Sequence, residues 1–323
     1  MTKCFTANTP LWRIRHCRQF RDFRRYVICP RGLGAMMQVY KIKNLSWFYP
    51  VNADSLAYAF NRMREAVDEG KLKYYPFLKK DVGIYAFLIG ENRPFVLVLP
   101  GGGYGDVCSP IEGYAVAVRL NELGYNAFIG NYRVGKDAHY PNPHDDVAGM
   151  LRFIESKKEE WNVSTDDYAV CGFSAGGHLA ASWCTKAVGY EKYHVKKPAA
   201  VFLSYPVITM GEYTHEGSRK KLLSGDSGDP DLQKRYSAEL QVDGDYPKTF
   251  LWQCKNDPVV PFKNSQMMAE ALKKNGVKHI FMPVEGDKHG WGLGAKTTAE
   301  GWIEKAVALW QESQLKIYDK NNG

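Results

Sequence analysis

The feature of the sequence that most restricts its fold is a series of short apolar segments alternating with amphipathic ones from about residue 40 onward. Segments 93–102 and 199–208 contain continuous apolar runs, typical of strands that are buried on both faces. Repeated strand–helix alternation predicts an α/β fold with a mostly parallel sheet and helices on both faces. We expect strands within 83–90, 93–102, 125–133, 167–173, 199–208, 248–254 and 278–284, and helices within 53–70, 112–124, 142–161, 174–188, 261–276 and 297–315.

Chain length and the absence of a linker favour one folded domain. The length of 323 residues suits one large α/β domain or two small ones, and no Pro/Ser-rich linker follows residue 40. We therefore expect a single domain over 36–323, with the polar stretch 209–246 as a cap-like insertion that holds a short helix within 229–240. No apolar run reaches the roughly 18 residues that a transmembrane helix needs, so we expect no membrane span.

The formal charge of +8 is concentrated at the N-terminus. Residues 1–35 hold eight basic residues and one acidic one, whereas 36–323 hold 35 basic and 34 acidic residues. Because the body of the protein is nearly neutral, we expect no nucleic-acid partner. We interpret residues 1–35 as a disordered basic extension, with a transit peptide or a nucleic-acid-binding arm as alternatives. The segment lacks the apolar region of a secretory signal.

The seven cysteines are scattered along the chain without a CxxC pair. Neither a zinc site nor a disulfide framework is therefore indicated. This pattern favours reduced thiols in a cytoplasmic protein, for which we expect no metal and no cofactor.

The segment "GFSAGG" carries the strongest functional signal. Ser174 lies between Gly172 and Gly176, where a predicted strand passes into a predicted helix. A serine on such a tight turn has a strained backbone, and side chains two residues before or after it would collide with the turn. Its hydroxyl would stand exposed at a helix N-terminus, whose amides favour developing negative charge. The pattern predicts a nucleophile; an ordinary N-cap serine is the alternative.

A serine hydroxyl needs a base to take its proton. Among the eight histidines, His289 follows the last predicted strand in a glycine-flanked loop that can fold over the sheet to Ser174. We assign packing roles to His178 and His279, and possible lining of the cleft to His139 and His144.

The base in turn needs an acid to fix its tautomer. Asp257 in "KNDPVVP" follows the second-to-last predicted strand, although an ordinary Asx-turn would also explain it. Asp287 is a weaker candidate, because it is too near His289 in sequence to approach the far ring nitrogen easily. The chain order Ser174, Asp257, His289 is that of the α/β-hydrolase arrangement.

The glycine-rich loop "PGGGYG" is a candidate oxyanion hole. Without Cβ atoms, Gly101, Gly102 and Gly103 let backbone N–H groups approach a substrate oxygen, and the Ala175 N–H lies next to the nucleophile. Phosphate binding is the alternative, but the loop lacks the P-loop pattern and overlaps only weakly with a dinucleotide fingerprint.

Together, "LPGGGY", "GNYRV", "YPNPHDDVAGMLRFI", "CGFSAGGHLAAS", "NDPVVP" and "DKHGWG" resemble the α/β-hydrolase fold. In particular they are similar to microbial acetyl esterases of the feruloyl/acetyl-xylan-esterase-like group, over about residues 80 to 315. The resemblance implies a triad of Ser174, Asp257 and His289, with oxyanion donors at Gly102, Gly103 and Ala175. Pro100 stands where many relatives carry histidine, which weakens any inference from the lipase subgroup.

The resemblance implies a serine hydrolase that cleaves small esters, acetyl esters above all, on acetylated carbohydrate or related small molecules. We expect Tyr104 and Trp291 at the substrate pocket, together with Tyr213, His215 and Tyr236 of the 209–246 insertion. The alternatives are a short-chain lipase or carboxylesterase, a prolyl-oligopeptidase-like peptidase and a catalytically inactive binding module.

Overall fold

The computed structural model describes residues 4–23, 40–47, 50–77 and 82–312. Within these ranges eight strands form one sheet in the order β1-β2-β4-β3-β5-β6-β7-β8. The first two pairings, β1 with β2 and β2 with β4, are antiparallel, and all others are parallel. The strands are β1 (Leu72–Pro76), β2 (Gly83–Phe87), β3 (Phe95–Leu99), β4 (Asn126–Asn131), β5 (Ala169–Phe173), β6 (Ala200–Ser204), β7 (Lys248–Cys254) and β8 (His279–Val284).

Helices cover both faces of this sheet, as predicted. Along β3, Val96 packs in the same core cluster as Tyr114, whereas the next residue, Leu97, packs with Leu179 on the opposite face. The helices are α1 (Leu11–Arg15), α2 (Ala53–Asp68), α3 (Ser109–Glu112), α4 (Tyr114–Glu122), α5 (Asn142–Trp161), α6 (Ser174–Trp183), α7 (Glu216–Leu223), α8 (Pro230–Tyr236), α9 (Lys263–Lys274) and α10 (Trp302–Gln311).

The register of the central strands places the functional loops. Leu99, the last residue of β3, pairs with Gly172 near the end of β5. Since both strands run in the same direction, the glycine-rich loop after β3 begins beside the turn that carries Ser174. The loops after β7 and β8 leave the same edge of the sheet, which is where α/β folds bind ligands.

Most predicted elements are present, with small differences in detail. The predicted helix 112–124 corresponds to α4, which begins at Tyr114, and a separate short helix, α3, precedes it with Gly113 between the two. The N-cap of α2 is Asn52, whose side chain accepts the N–H groups of Asp54 and Ser55. Strand β1 was not predicted, since it is a short edge strand of mixed burial that ends in proline.

The N-terminal segment differs most from the prediction. Residues 4–23 do not lie outside the fold, because Phe5, Leu11 and Phe20 are buried in the core cluster that includes α2. Phe20 lies 6.4 Å from Phe60 of α2 between ring centroids, and the Asn61 amide exchanges two hydrogen bonds with the Phe5 backbone. Apolar residues spaced among the arginines therefore provide a packing face. The other residues of the predicted extension, 1–3 and 24–35, lie outside the described residues.

The 209–246 insertion contains α7 and α8, and α8 falls within the predicted 229–240 segment. Its start is fixed by Asn264, whose side-chain oxygen accepts the backbone N–H groups of Ile208 and Thr209.

Across the described ranges, none of the helices combines the length and apolar character needed to cross a bilayer.

Candidate active site

Ser174 occupies the strained turn between β5 and α6. Its φ is +52°, in the left-handed region that side chains other than glycine disfavour. A Cβ atom at Gly172 would lie 2.3 Å from the Gly176 carbonyl oxygen, and one at Gly176 would lie 2.1 Å from the Leu99 carbonyl oxygen. The predicted collision with the turn is therefore confirmed for Gly172, whereas Gly176 is needed because the end of β3 approaches it closely.

The structure brings Ser174, His289 and Asp257 into one chain of hydrogen bonds. The Ser174 hydroxyl lies 2.8 Å from His289 Nε2, and His289 Nδ1 lies 2.7 Å from Asp257 Oδ2. A carboxylate oxygen accepts, so Nδ1 carries the proton and the neutral ring presents Nε2 as an acceptor to the serine. The Asp257 side chain is fully buried and the His289 side chain is 13% exposed, so water has little access to the pair.

Asp257 makes the contacts expected for both of the alternatives that the sequence left open. Its Oδ1 accepts the backbone N–H groups of Val259 and Val260, at 2.9 and 3.0 Å, which is an Asx-turn. Its Oδ2 accepts from His289 and, at 3.1 Å, from the amide of Gln253. The turn thus fixes the carboxylate that orients the histidine. Asp287, the weaker candidate, is exposed.

The glycine-rich loop presents two backbone donors near the serine. Gly102 and Gly103 have φ values of +131° and +60°, and within the described part of the chain neither N–H has an acceptor. The Ala175 N–H lies in the first turn of α6, where no acceptor within the helix exists. Gly101, by contrast, donates its N–H to Glu112 Oε2 at 2.6 Å and is not available to a substrate.

Two buried residues beside this loop were not identified from the sequence. Glu112 is 4% exposed and Tyr205 is 1% exposed, and the Tyr205 hydroxyl lies 3.0 Å from Glu112 Oε1. Burial raises the pKa of Glu112, while the nearby His289 and the hydrogen bonds from Gly101 and Tyr205 oppose that rise. No motif marks either residue, because one ends a short helix and the other follows an apolar strand.

His178 and His144 make structural contacts. His178 is buried and its Nε2 lies 2.6 Å from the Tyr236 carbonyl oxygen, so Nε2 donates and Nδ1 accepts from the Tyr104 hydroxyl at 2.8 Å. Burial lowers its pKa to about 4. His144 is also buried, against Ser182 of α6 at 2.9 Å, and burial lowers its pKa to about 3. The prediction that His144 lines the cleft is therefore wrong.

Other predicted histidine contacts are peripheral. His139 lies at an exposed position, where its ring contacts the Asn142 side chain. His279 lies at the start of β8, with Nδ1 2.8 Å from the Val277 carbonyl oxygen.

The predicted pocket residues lie in different environments. Tyr104 is fully buried and its hydroxyl is bonded to His178, so it cannot contact a ligand in the cleft. Trp291 packs on the core beside His289, with its ring 6.3 Å from that of Trp252 between centroids. Tyr213 has 42% of its surface exposed, and Tyr236 is buried.

His215, another predicted pocket residue, lies close to the glycine-rich loop. Its Cε1 would lie 3.6 Å from a Cβ atom at Gly103, and its Nδ1 caps α7 by accepting the Ser218 N–H at 3.3 Å. Because Nδ1 accepts this N–H, the neutral ring would carry its proton on Nε2. Burial, and next the nearby His289, lower the pKa of His215, which favours the neutral form. Within the described residues, no cluster of three His, Cys, Asp or Glu side chains is arranged to hold a metal.

The strand order is that of an α/β hydrolase. The chain also has the residue placement of that fold, with Ser174 after β5, Asp257 after β7 and His289 after β8. A solved structure, the acetyl ester-xyloside bifunctional hydrolase of Caldicellulosiruptor lactoaceticus, is similar with a TM-score of 0.63 and 33% identity, over 74% of this chain and 89% of that one. A family model described as BD-FAE matches residues 89–272. The chain belongs to the BD-FAE family of α/β-hydrolase esterases, which confirms the resemblance described above.

Two curated relatives agree with this assignment. Endo-1,4-beta-xylanase B of Butyrivibrio fibrisolvens is 32% identical over 72% of this chain, and an acetylxylan esterase of Xylanibacter ruminicola is 30% identical over 76% of it. The matched region spans 38% and 49% of the length of these two relatives.

Proposed function

We propose that the protein hydrolyses carboxylic esters with small acyl groups, through an acyl-enzyme on Ser174. The observation that carries this proposal is the chain of hydrogen bonds from Ser174 through His289 to Asp257, with spacings of 2.8 and 2.7 Å. Such a chain supplies a nucleophile, a base that takes its proton and an acid that stabilises the resulting imidazolium.

The first half of the reaction forms the acyl-enzyme. The Ser174 oxygen attacks the ester carbonyl while its proton passes to His289 Nε2. The carbonyl oxygen becomes an oxyanion, which the N–H groups of Gly102, Gly103 and Ala175 stabilise. When the tetrahedral intermediate collapses, the C–O bond to the alcohol breaks and the departing oxygen takes the proton from Nε2.

The second half regenerates the serine. Water gives a proton to His289 Nε2 and attacks the acyl carbon, and the same backbone donors hold the second oxyanion. The acid is released as the Ser174 oxygen recovers its proton. Asp257 remains ionised throughout, and its contact with Nδ1 stabilises each imidazolium.

The proposed substrate class is an acetyl ester of a carbohydrate. Support comes from the relatives named as an acetylxylan esterase and an acetyl ester-xyloside hydrolase. The His215 ring lies beside Gly103, one of the proposed oxyanion donors, so its Nε2–H is our candidate donor to the sugar part of the ester. A sugar hydroxyl can accept that hydrogen bond, whereas the p-nitrophenyl group offers only the weakly accepting oxygens of its nitro group.

A direct test compares the wild-type chain with Ser174→Ala on p-nitrophenyl acetate and on acetylated xylo-oligosaccharides. We expect hydrolysis of both by the wild-type protein and loss of it in the variant. A fluorophosphonate probe should label the wild-type protein alone. Equal rates in both proteins would refute the mechanism, and preference for long-chain esters would favour a lipase.

A further inference from the structure

Glu112 and Tyr205 connect the two loops that carry the proposed oxyanion donors and the base. Glu112 Oε2 accepts the N–H of Gly101 at 2.6 Å, at the start of the glycine-rich loop. Glu112 Oε1 lies 3.0 Å from the Tyr205 hydroxyl, and the Gly292 N–H lies 2.9 Å from the same hydroxyl. Gly292 is three residues beyond His289, so a chain of three hydrogen bonds spans both loops.

The direction of these hydrogen bonds follows from the groups involved. A backbone N–H can only donate, so Gly292 uses the Tyr205 oxygen as an acceptor. The hydroxyl proton of Tyr205 is then free for Glu112. Each carboxylate oxygen thus has a donor directed at it, which is the arrangement that an ionised carboxylate takes. A protonated Glu112 would have to give up one of these two contacts.

Tyr205 also limits the position of the histidine ring. Its ring centroid lies 4.8 Å from that of His289, with an interplanar angle of 66°. The Tyr205 backbone has an unusual φ of +39°. Its N–H donates to the Trp252 carbonyl oxygen at 2.7 Å, and this hydrogen bond holds the residue in place. An imidazole that rotated away from Ser174 on this side would meet a rigid ring.

We propose that Glu112 and Tyr205 are positioning residues, which hold the oxyanion loop and the His289 loop in one geometry. The proposal rests on the ester hydrolysis proposed above. Neither residue touches the reacting atoms. They act because the Gly102 and Gly103 donors and the His289 ring must be placed correctly at the same moment, and displacement of catalytic groups by about 1 Å costs about 10²-fold in rate.

The test uses Glu112→Gln and Tyr205→Phe, alone and together. Tyr246→Phe is the matched control. The Tyr246 hydroxyl is also buried and donates a hydrogen bond to the Ala181 carbonyl oxygen at 2.8 Å, but this hydrogen bond involves neither of the two loops. With p-nitrophenyl acetate we expect kcat to fall about 10- to 100-fold in each single variant, with KM within about threefold of the wild-type value. The double variant should lose little more than one single variant, because both changes break the same connection.

Hydrogen exchange provides a second readout. Either substitution should speed exchange in both loops, at 101–105 and 286–294, whereas Tyr246→Phe should leave both unchanged. The proposal would be overturned if kcat and KM of both single variants stayed near the wild-type values while their thermal stability fell only as much as that of Tyr246→Phe. So would additive losses in the double variant, or faster exchange in one loop only.

Failure of this proposal can be told apart from failure of the proposed function. If the wild-type chain neither hydrolyses the ester nor reacts with a fluorophosphonate, the hydrolase function fails and this proposal fails with it. If the wild-type chain is active and the Glu112→Gln and Tyr205→Phe variants match it, only the positioning role is lost. Should Glu112→Gln not fold, Tyr205→Phe alone decides, since it retains the carboxylate.

Discussion

The buried His178 should make the stability of the protein depend on pH. Burial lowers its pKa from the ordinary value of 6.5 to about 4, so the folded protein keeps it neutral at pH values where the unfolded chain protonates it. The unfolded state then binds more protons, and stability falls as the pH falls from 6.5 toward 4. Between about pH 7.5 and about pH 5 the difference is about 2 kcal/mol in free energy of unfolding.

The assay is chemical denaturation at the two pH values, with wild type and His178→Gln. We expect the wild-type protein to lose about 2 kcal/mol more on acidification than the variant, because glutamine does not titrate. His194→Gln serves as the control, since His194 is exposed and its variant should behave like wild type. An equal loss in wild type and His178→Gln would refute the reasoning, because other groups would then carry the whole dependence.

Three further outcomes are expected at the site. Asp257→Asn should lower kcat by about 10³- to 10⁴-fold with the fold retained, measured with p-nitrophenyl acetate, because an amide favours the wrong histidine tautomer. His215→Asn keeps a capping acceptor but loses the Nε2–H, so KM for acetylated xylo-oligosaccharides should rise several-fold while p-nitrophenyl acetate hydrolysis changes little. Gly176→Ala should lower the melting temperature and abolish fluorophosphonate labelling, since its Cβ atom would lie 2.1 Å from the Leu99 carbonyl oxygen. A labelled, wild-type-stable Gly176→Ala protein would contradict the steric argument.

Elements with strong local signals could be predicted from the sequence. The helix α5 has the predicted bounds, because Pro143 suits its first turn and Asn162 ends it in a left-handed conformation. The need for glycine at positions 172 and 176 could also be predicted, since a serine on a strand-to-helix turn leaves few alternatives, although at Gly176 the clash is with the end of β3. These are cases in which a few adjacent residues determine the structure.

Features that depend on distant contacts could not be predicted in this way. Glu112 and Tyr205 are 93 residues apart in sequence, and no pattern at either position indicates that their side chains meet. Tyr104 lies within the glycine-rich loop and is expected in the pocket, but its φ of +57° accompanies a side chain that points into the core toward His178. The N-terminal segment was misinterpreted because its eight basic residues obscure the apolar positions between them.

The packing of residues 4–23 against α2 affects how the chain can be shortened for expression. A version beginning at Met36, where composition alone suggests a boundary, would remove Phe5 and Phe20 and uncover Phe60. Newly exposed apolar surface of this kind promotes self-association. We expect the shortened protein to be poorly soluble even though every residue of the candidate active site is present. We therefore expect solubility to depend on a segment that lies outside the residues matched by the family model.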